Sequence, residues 1–192
     1  MAAKLNGITL SDPAGDIIGT PGDDNLINFT DVTYDSIDLG DGFDVLRLFG
    51  SRDLGTSSDF FDMGAADAEW FITGSGTYFI DASSSDEKVS ITSYGATTAI
   101  GSAFNDEFKA LSTSKTNIFD GGAGNDKIIG RGGDDELSGG TGNDEIEGKN
   151  GDDVLFGGDG NDEIEGGAGD DLVGGQSGND DIDGGSGNDR LF

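Results

Sequence analysis

From Gly121 to the end of the chain, one aliphatic residue recurs every nine positions: Ile128, Leu137, Ile146, Leu155, Ile164, Val173, Ile182 and Leu191. Cutting at this interval from Gly121 gives eight units, GGAGNDKII through GGSGNDRLF, with no insertion or slip. The first and fourth places are always Gly, the sixth is always Asp and the eighth is always aliphatic. Glycine at the first and fourth places permits positive φ and lets carbonyls turn inward where a Cβ would clash. The unit therefore predicts a six-residue turn followed by a three-residue strand whose middle side chain points inward. Neighbouring units stack their strands into parallel sheets. The pattern is that of a solenoid.

Residues 1–120 are patterned differently. Short apolar runs recur there, at 37–39, 45–48, 60–61, 70–72, 78–80, 89–91 and 118–119, separated by Gly, Ser and Asp and without helical periodicity. Such spacing predicts many short strands. This region holds 14 of the 16 aromatic residues, including Trp70, Phe71, Tyr78 and Phe79, enough for a hydrophobic core. Degenerate copies of the nonapeptide also occur. Gly19 to Ile27 keeps Asp24 and Leu26, the stretch around Gly42 keeps Asp44 and Leu46, and GSAFNDEFK keeps Asp106 and Phe108 but has Phe104 at the fourth place. Asp24 and Asp44 are candidate metal ligands on this pattern, and Asp106 is a weaker one. The expected architecture is all-β: a roll over 121–192, capped by an irregular β-rich region over 1–120 that is either a solenoid or a small sandwich. A cap is needed because a roll exposes unpaired strand edges and an open apolar end.

Charge changes the picture. The repeat segment carries 19 Asp and Glu against four Lys and Arg, and the whole chain has a formal charge of −29. With two units per coil, stacked turns place successive aspartates about 5 Å apart, and each such pair repels by roughly 1 to 3 kcal/mol at effective dielectrics of 80 to 20. A hard divalent cation between turns reverses the sign of that interaction. The chain has no His and no Cys, so its donors are carboxylate and carbonyl oxygens, which select calcium over zinc or copper.

The consensus GGxGxDxUx, with U aliphatic, resembles the RTX (repeats-in-toxin) calcium-binding family over 72 residues. The resemblance implies a parallel β-roll with two units per coil and Ca²⁺ between a unit's turn and that of the unit two further on. Carried onto this chain, it implies that six ions are shared between Asp126 and Asp144, Asp135 and Asp153, Asp144 and Asp162, Asp153 and Asp171, Asp162 and Asp180, and Asp171 and Asp189. The remaining ligands it implies are backbone carbonyls of the first four places. In the first four units these are Gly121, Ala123, Gly130, Gly132, Gly139, Gly140, Thr141, Gly142, Gly148, Asn150 and Gly151. In the last four they are Gly157, Gly158, Asp159, Gly160, Gly166, Gly167, Ala168, Gly169, Gly175, Ser177, Gly178, Gly184, Gly185 and Gly187. Arg131, Lys149 and Gln176 depart from Gly at the second place. They leave the carbonyl donors intact but are expected to strain φ.

The family resemblance also implies export by a type I route, and the first twenty residues have no apolar core of the secretory-signal kind. The chain stops in register at Phe192, which fits an excised module of a larger secreted protein. The expected function is a secreted calcium-binding module that folds on extracellular Ca²⁺, as a structural or adhesion part of an exported protein. Its acidity argues against nucleic acid and anionic membrane surfaces as partners, and no stretch is apolar enough for a membrane helix. Without His or Cys there is no Ser/His/Asp or Cys/His machinery. The chain is expected not to be an enzyme. The alternatives are a glycan-binding adhesin using the aromatics, and a polysaccharide-active enzyme using carboxylates such as Asp62, Asp67, Glu69 or Asp81. Beyond calcium, the partners expected are a polysaccharide or cell-surface ligand and a second copy stacked end to end.

Overall fold

The structure, a computed structural model, describes residues 73, 77–83, 85 and 87–192 in full, and otherwise before residue 77 the backbone of the strands named here. It is an all-β parallel solenoid with no helix among the described residues. One sheet has nine strands, in the spatial order Asp181–Ser186, Glu163–Ala168, Glu145–Asn150, Lys127–Gly132, Glu107–Ala110, Ser90–Ser93, Ala68–Thr73, Asp44–Leu48 and Asn25–Ile27. The facing sheet has eight: Arg190–Leu191, Leu172–Ser177, Val154–Asp159, Glu136–Thr141, Ile118–Ala123, Ala96–Ile100, Thr77–Asp81 and Phe61–Asp62. A separate four-stranded sheet joins Lys4–Leu5, Ile8–Leu10, Ile17–Ile18 and Ile37–Asp38. From Asn25 on, every described strand except Ile37–Asp38 joins the two solenoid sheets, so these strands continue the stack.

The register confirms two units per coil. Ile128 pairs with Ile146 and Ile146 with Ile164 in one sheet, and Leu137 pairs with Leu155 and Leu155 with Val173 in the other. All pairs within these two sheets are parallel. Pairing also runs through residue 120, where Asp120 meets Ser138 in the same strand pair as Gly122 with Gly140.

One local expectation is corrected. The strands are six residues long, not three: Glu136–Thr141, for example, covers places seven to nine of one unit and one to three of the next. Only places four to six remain as turn. The reason is that the first three places, although glycine-rich, still find backbone partners one coil away.

The core is the column of eighth-place side chains. Ile128, Leu137, Ile146, Leu155, Ile164 and Val173 are essentially inaccessible, whereas Ile182 is partly buried and Leu191 is 50% exposed on the last rung. Below Ile128 the column thickens into aromatics, where Phe108 and Phe119 pack with ring centroids 5.4 Å apart.

Candidate metal centre

Each sixth-place Asp from Asp126 to Asp171 ties neighbouring coils together, its N–H donating to the coil after it and its Oδ1 accepting from the coil before it. Its Oδ1 accepts the N–H of the Asp one coil earlier: Asp126 N–H donates to Asp144 at 2.7 Å, Asp135 to Asp153 at 2.7 Å, Asp144 to Asp162 at 2.9 Å and Asp153 to Asp171 at 2.8 Å. Asp162 donates to Asp180 and Asp171 to Asp189 at 3.1 Å. The sixth-place carbonyls are also engaged, as where Asp126 accepts from Glu145 N–H. Oδ2 is different. In Asp126, Asp135, Asp144, Asp153, Asp162 and Asp171 this oxygen is buried and has no hydrogen-bond partner. Six orphaned carboxylate oxygens, in two columns of three on opposite sides of the roll, are costly without a cation. They fall on the first member of each of the six pairs inferred above.

The first-place glycines explain where that oxygen points. A Cβ on Gly148 would come within 2.5 Å of Asp153 Oδ2 and 2.7 Å of the Gly166 carbonyl, and one on Gly166 within 2.6 Å of both Asp171 Oδ2 and the Gly184 carbonyl. Glycine is thus required at the first place for space, to leave a cradle between a carboxylate and a carbonyl of the next coil. Positive φ, expected at the first and fourth places, is found at the fourth, for example Gly142 at 132°, but not at the first; it falls also at the second, for example Gly140 at 106°. Arg131, Lys149 and Gln176 also adopt positive φ, of 74°, 81° and 70°. Third-place carbonyls cap the turns: Gly142 N–H donates to Asp159 O and Gly151 N–H to Ala168 O.

Burial pushes the carboxyls of Asp126 and Asp135 up to about 7, and those of Asp144 and Asp153 to about 6. Burial is also the leading cause for Asp162 and Asp171, which are raised as well. Neighbouring carboxylates add to each shift, and the backbone N–H bonds oppose it. Among the described residues, no three Asp, Glu, His or Cys side chains gather around one point. A cation here would therefore be held by two carboxylates at most, completed by backbone oxygens. That is a hard, all-oxygen donor set suited to Ca²⁺.

Asp180 and Asp189 close the last coils as acceptors for Asp162 and Asp171. Asp24 and the side chain of Asp44 lie outside the described residues, as do Asp67 and the side chains of Asp62 and Glu69; Asp81 caps an exposed turn through Ser83 N–H. Three features went unread in the sequence. The fifth place is always Asn or Asp, and its side chain accepts the N–H of the next coil's fifth place, as from Asn143 to Asn125 at 2.7 Å and Asp170 to Asp152 at 2.9 Å. The other two, Ser102 and Asn117, close the turns that precede the repeats. Asp106 Oδ2 accepts both N–H and Oγ of Ser102, at 2.6 and 3.0 Å, and its Oδ1 accepts Val89 N–H at 2.7 Å. Asn117 stands at the sixth place of a degenerate unit beginning at Ser112. Its Oδ1 accepts Thr97 N–H, while its Nδ2 donates to Lys115 O and Asp135 Oδ1.

Taken together, these features define a parallel β-solenoid whose turns set partnerless carboxylate oxygens against backbone carbonyls of the next coil. The family model of the RTX calcium-binding nonapeptide repeat matches residues 112–146, 138–173 and 157–191. The chain therefore carries an RTX repeat array over its C-terminal part, and RTX nonapeptide repeats bind Ca²⁺. No curated protein matches the chain.

Proposed function

We propose that this chain is an exported module whose repeat segment folds when six Ca²⁺ ions enter between successive turns. The observation that carries the reading is the two columns, three atoms each, of buried, partnerless Asp Oδ2. Each ion is shared by two aspartates one coil apart, from Asp126 with Asp144 through Asp171 with Asp189, and by carbonyls of the first four places. Bound Ca²⁺ supplies the positive charge that these oxygens lack. Six ions add twelve charges to a segment of 19 acidic and four basic residues, taking it from −15 to −3. Where calcium is scarce the segment stays unfolded and exportable; at the millimolar levels outside cells it folds. The folded roll then acts as a rigid structural or adhesion part of the exported protein, with residues 1–120 at its N-terminal end.

Far-UV circular dichroism during calcium titration of the full chain tests this. The expected result is a cooperative gain of β signal with about six ions bound per chain. A repeat segment already folded in excess chelator and indifferent to calcium would overturn it.

A further inference from the structure

We infer that the ion array begins at Asp126 and Asp135 because the two turns before it carry protein donors where the cation would sit. The coils they close, residues 89–120, then fold without calcium and template the rest. The inference rests on the calcium reading of the repeats.

The geometry of the two turns matches that of the repeats except at the cation. A Cβ on Gly101 would meet Asp106 Oδ2 and the Gly121 carbonyl, the same pair of groups that surrounds Gly148 and Gly166. In the repeats that carboxylate oxygen is orphaned, but Asp106 Oδ2 is satisfied by Ser102. The difference lies at the second place. All eight second-place residues of the repeats have positive φ, whereas Ser102 does not, and neither does Phe104 at the fourth place. Ser102 N–H and Oγ therefore reach Asp106, doing with two donors what an ion does elsewhere.

On the opposite side the substitution is chemical. Asn117 is fully buried and keeps the acceptor Oδ1 of the aspartate ladder, but it places an NH₂ where Asp presents Oδ2. That NH₂ reaches a carbonyl of its own turn and the carboxylate of the next coil, which are a cation's partners. One coil further back, the buried hydroxyls of Thr73, Ser93 and Thr97 bond to one another, with Ser93 and Thr97 at 2.6 Å. The same coils have Phe108 and Phe119 in the core column in place of aliphatics, which raises apolar burial where no metal contributes.

Hydrogen exchange of the full chain in excess chelator reads the first consequence. Amides of 89–120 are expected to stay protected while those of 121–192 exchange at unfolded rates, and calcium then protects both. Equally fast exchange of the two segments in chelator overturns the inference.

The paired variant Ser102→Gly/Phe104→Gly makes residues 101–106 identical to 121–126, GGAGND. It is expected to raise the calcium stoichiometry from six to seven. A wild type that binds no calcium sinks the proposed function. A wild type that binds six and a variant that also binds six overturns only the present inference.

Discussion

Asp144 shows what one side chain does for two coils. Its Oδ1 accepts Asp126 N–H, and its Oδ2 is buried without a partner. In the proposed array it contributes to two ions, one shared with Asp126 and one with Asp162. Asp144→Asn keeps the acceptor and replaces the orphan by a donor, as Asn117 does one turn before the repeats. The expected result is loss of two of six ions, against one for Asp189→Asn, read by calcium titration calorimetry. In chelator the Asp144→Asn chain should be no less folded than wild type, since it buries no uncompensated carboxylate there. The raised carboxyls set a pH dependence. In the folded, metal-free roll Asp126 and Asp135 lie near 7, against an ordinary value of 3.8, because burial disfavours the charged form. Between those values the folded state binds more protons than the unfolded one. Metal-free stability is therefore full below about pH 4 and lost as pH rises through 6 to 7. Calcium must displace those protons, so its apparent affinity should fall as pH drops from 8 to 6. Calorimetry near pH 6.5 in two buffers of different ionisation enthalpy should show proton release; a buffer-independent heat would contradict it.

At the level of the turn, the nonapeptide period, the Asp ladder and the aliphatic column were legible in the sequence because each is an invariant place. What each glycine is for was not. Gly at the first place serves space and Gly at the fourth serves φ, yet both are the same letter. The second place did show its φ requirement, through the strain expected where Arg131, Lys149 and Gln176 depart from Gly, and all three adopt positive φ. Ser102 was equally hard to read, since its effect depends on a backbone angle and not on its hydroxyl alone. Asn117 was readable in principle, as an Asn at a sixth place preceding Phe119 at an eighth. The strain at the second place gives a graded prediction. A non-glycine residue at positive φ costs roughly 1 to 3 kcal/mol, and glycine's extra unfolded entropy offsets about 0.5 to 1 of any gain. Gln176→Gly should therefore stabilise the calcium-loaded chain by about 1 kcal/mol. Lys149→Gly should gain less, because Lys149 pairs with Glu147 at 2.8 Å and such exposed pairs contribute up to about 1 kcal/mol. Thermal melts in saturating calcium would rank the two.

For the whole molecule, two causes could keep the repeats unfolded without calcium, and they respond differently to salt. If diffuse repulsion among the 39 acidic residues were the barrier, 1 M NaCl would remove it, since charges more than about 3 Å apart are screened at that strength. On the proposed reading the barrier lies elsewhere. The six partnerless oxygens are buried, and buried groups are screened little by mobile ions. What they need is a bound ligand of fixed charge and reach. Sodium chloride at 1 M in chelator should therefore leave residues 121–192 unfolded by circular dichroism. Magnesium should also fail at concentrations where calcium succeeds. It demands near-octahedral ligands at about 2.0–2.1 Å and gives up water reluctantly, while the cradle walls are backbone locked into strand pairing at places one to three. Folding driven by salt alone would mean that repulsion, and not coordination at Asp Oδ2, is what calcium relieves. Folding driven by magnesium would mean that the cradles contract, and the spacing fixed by the two sheets would then not be the source of selectivity.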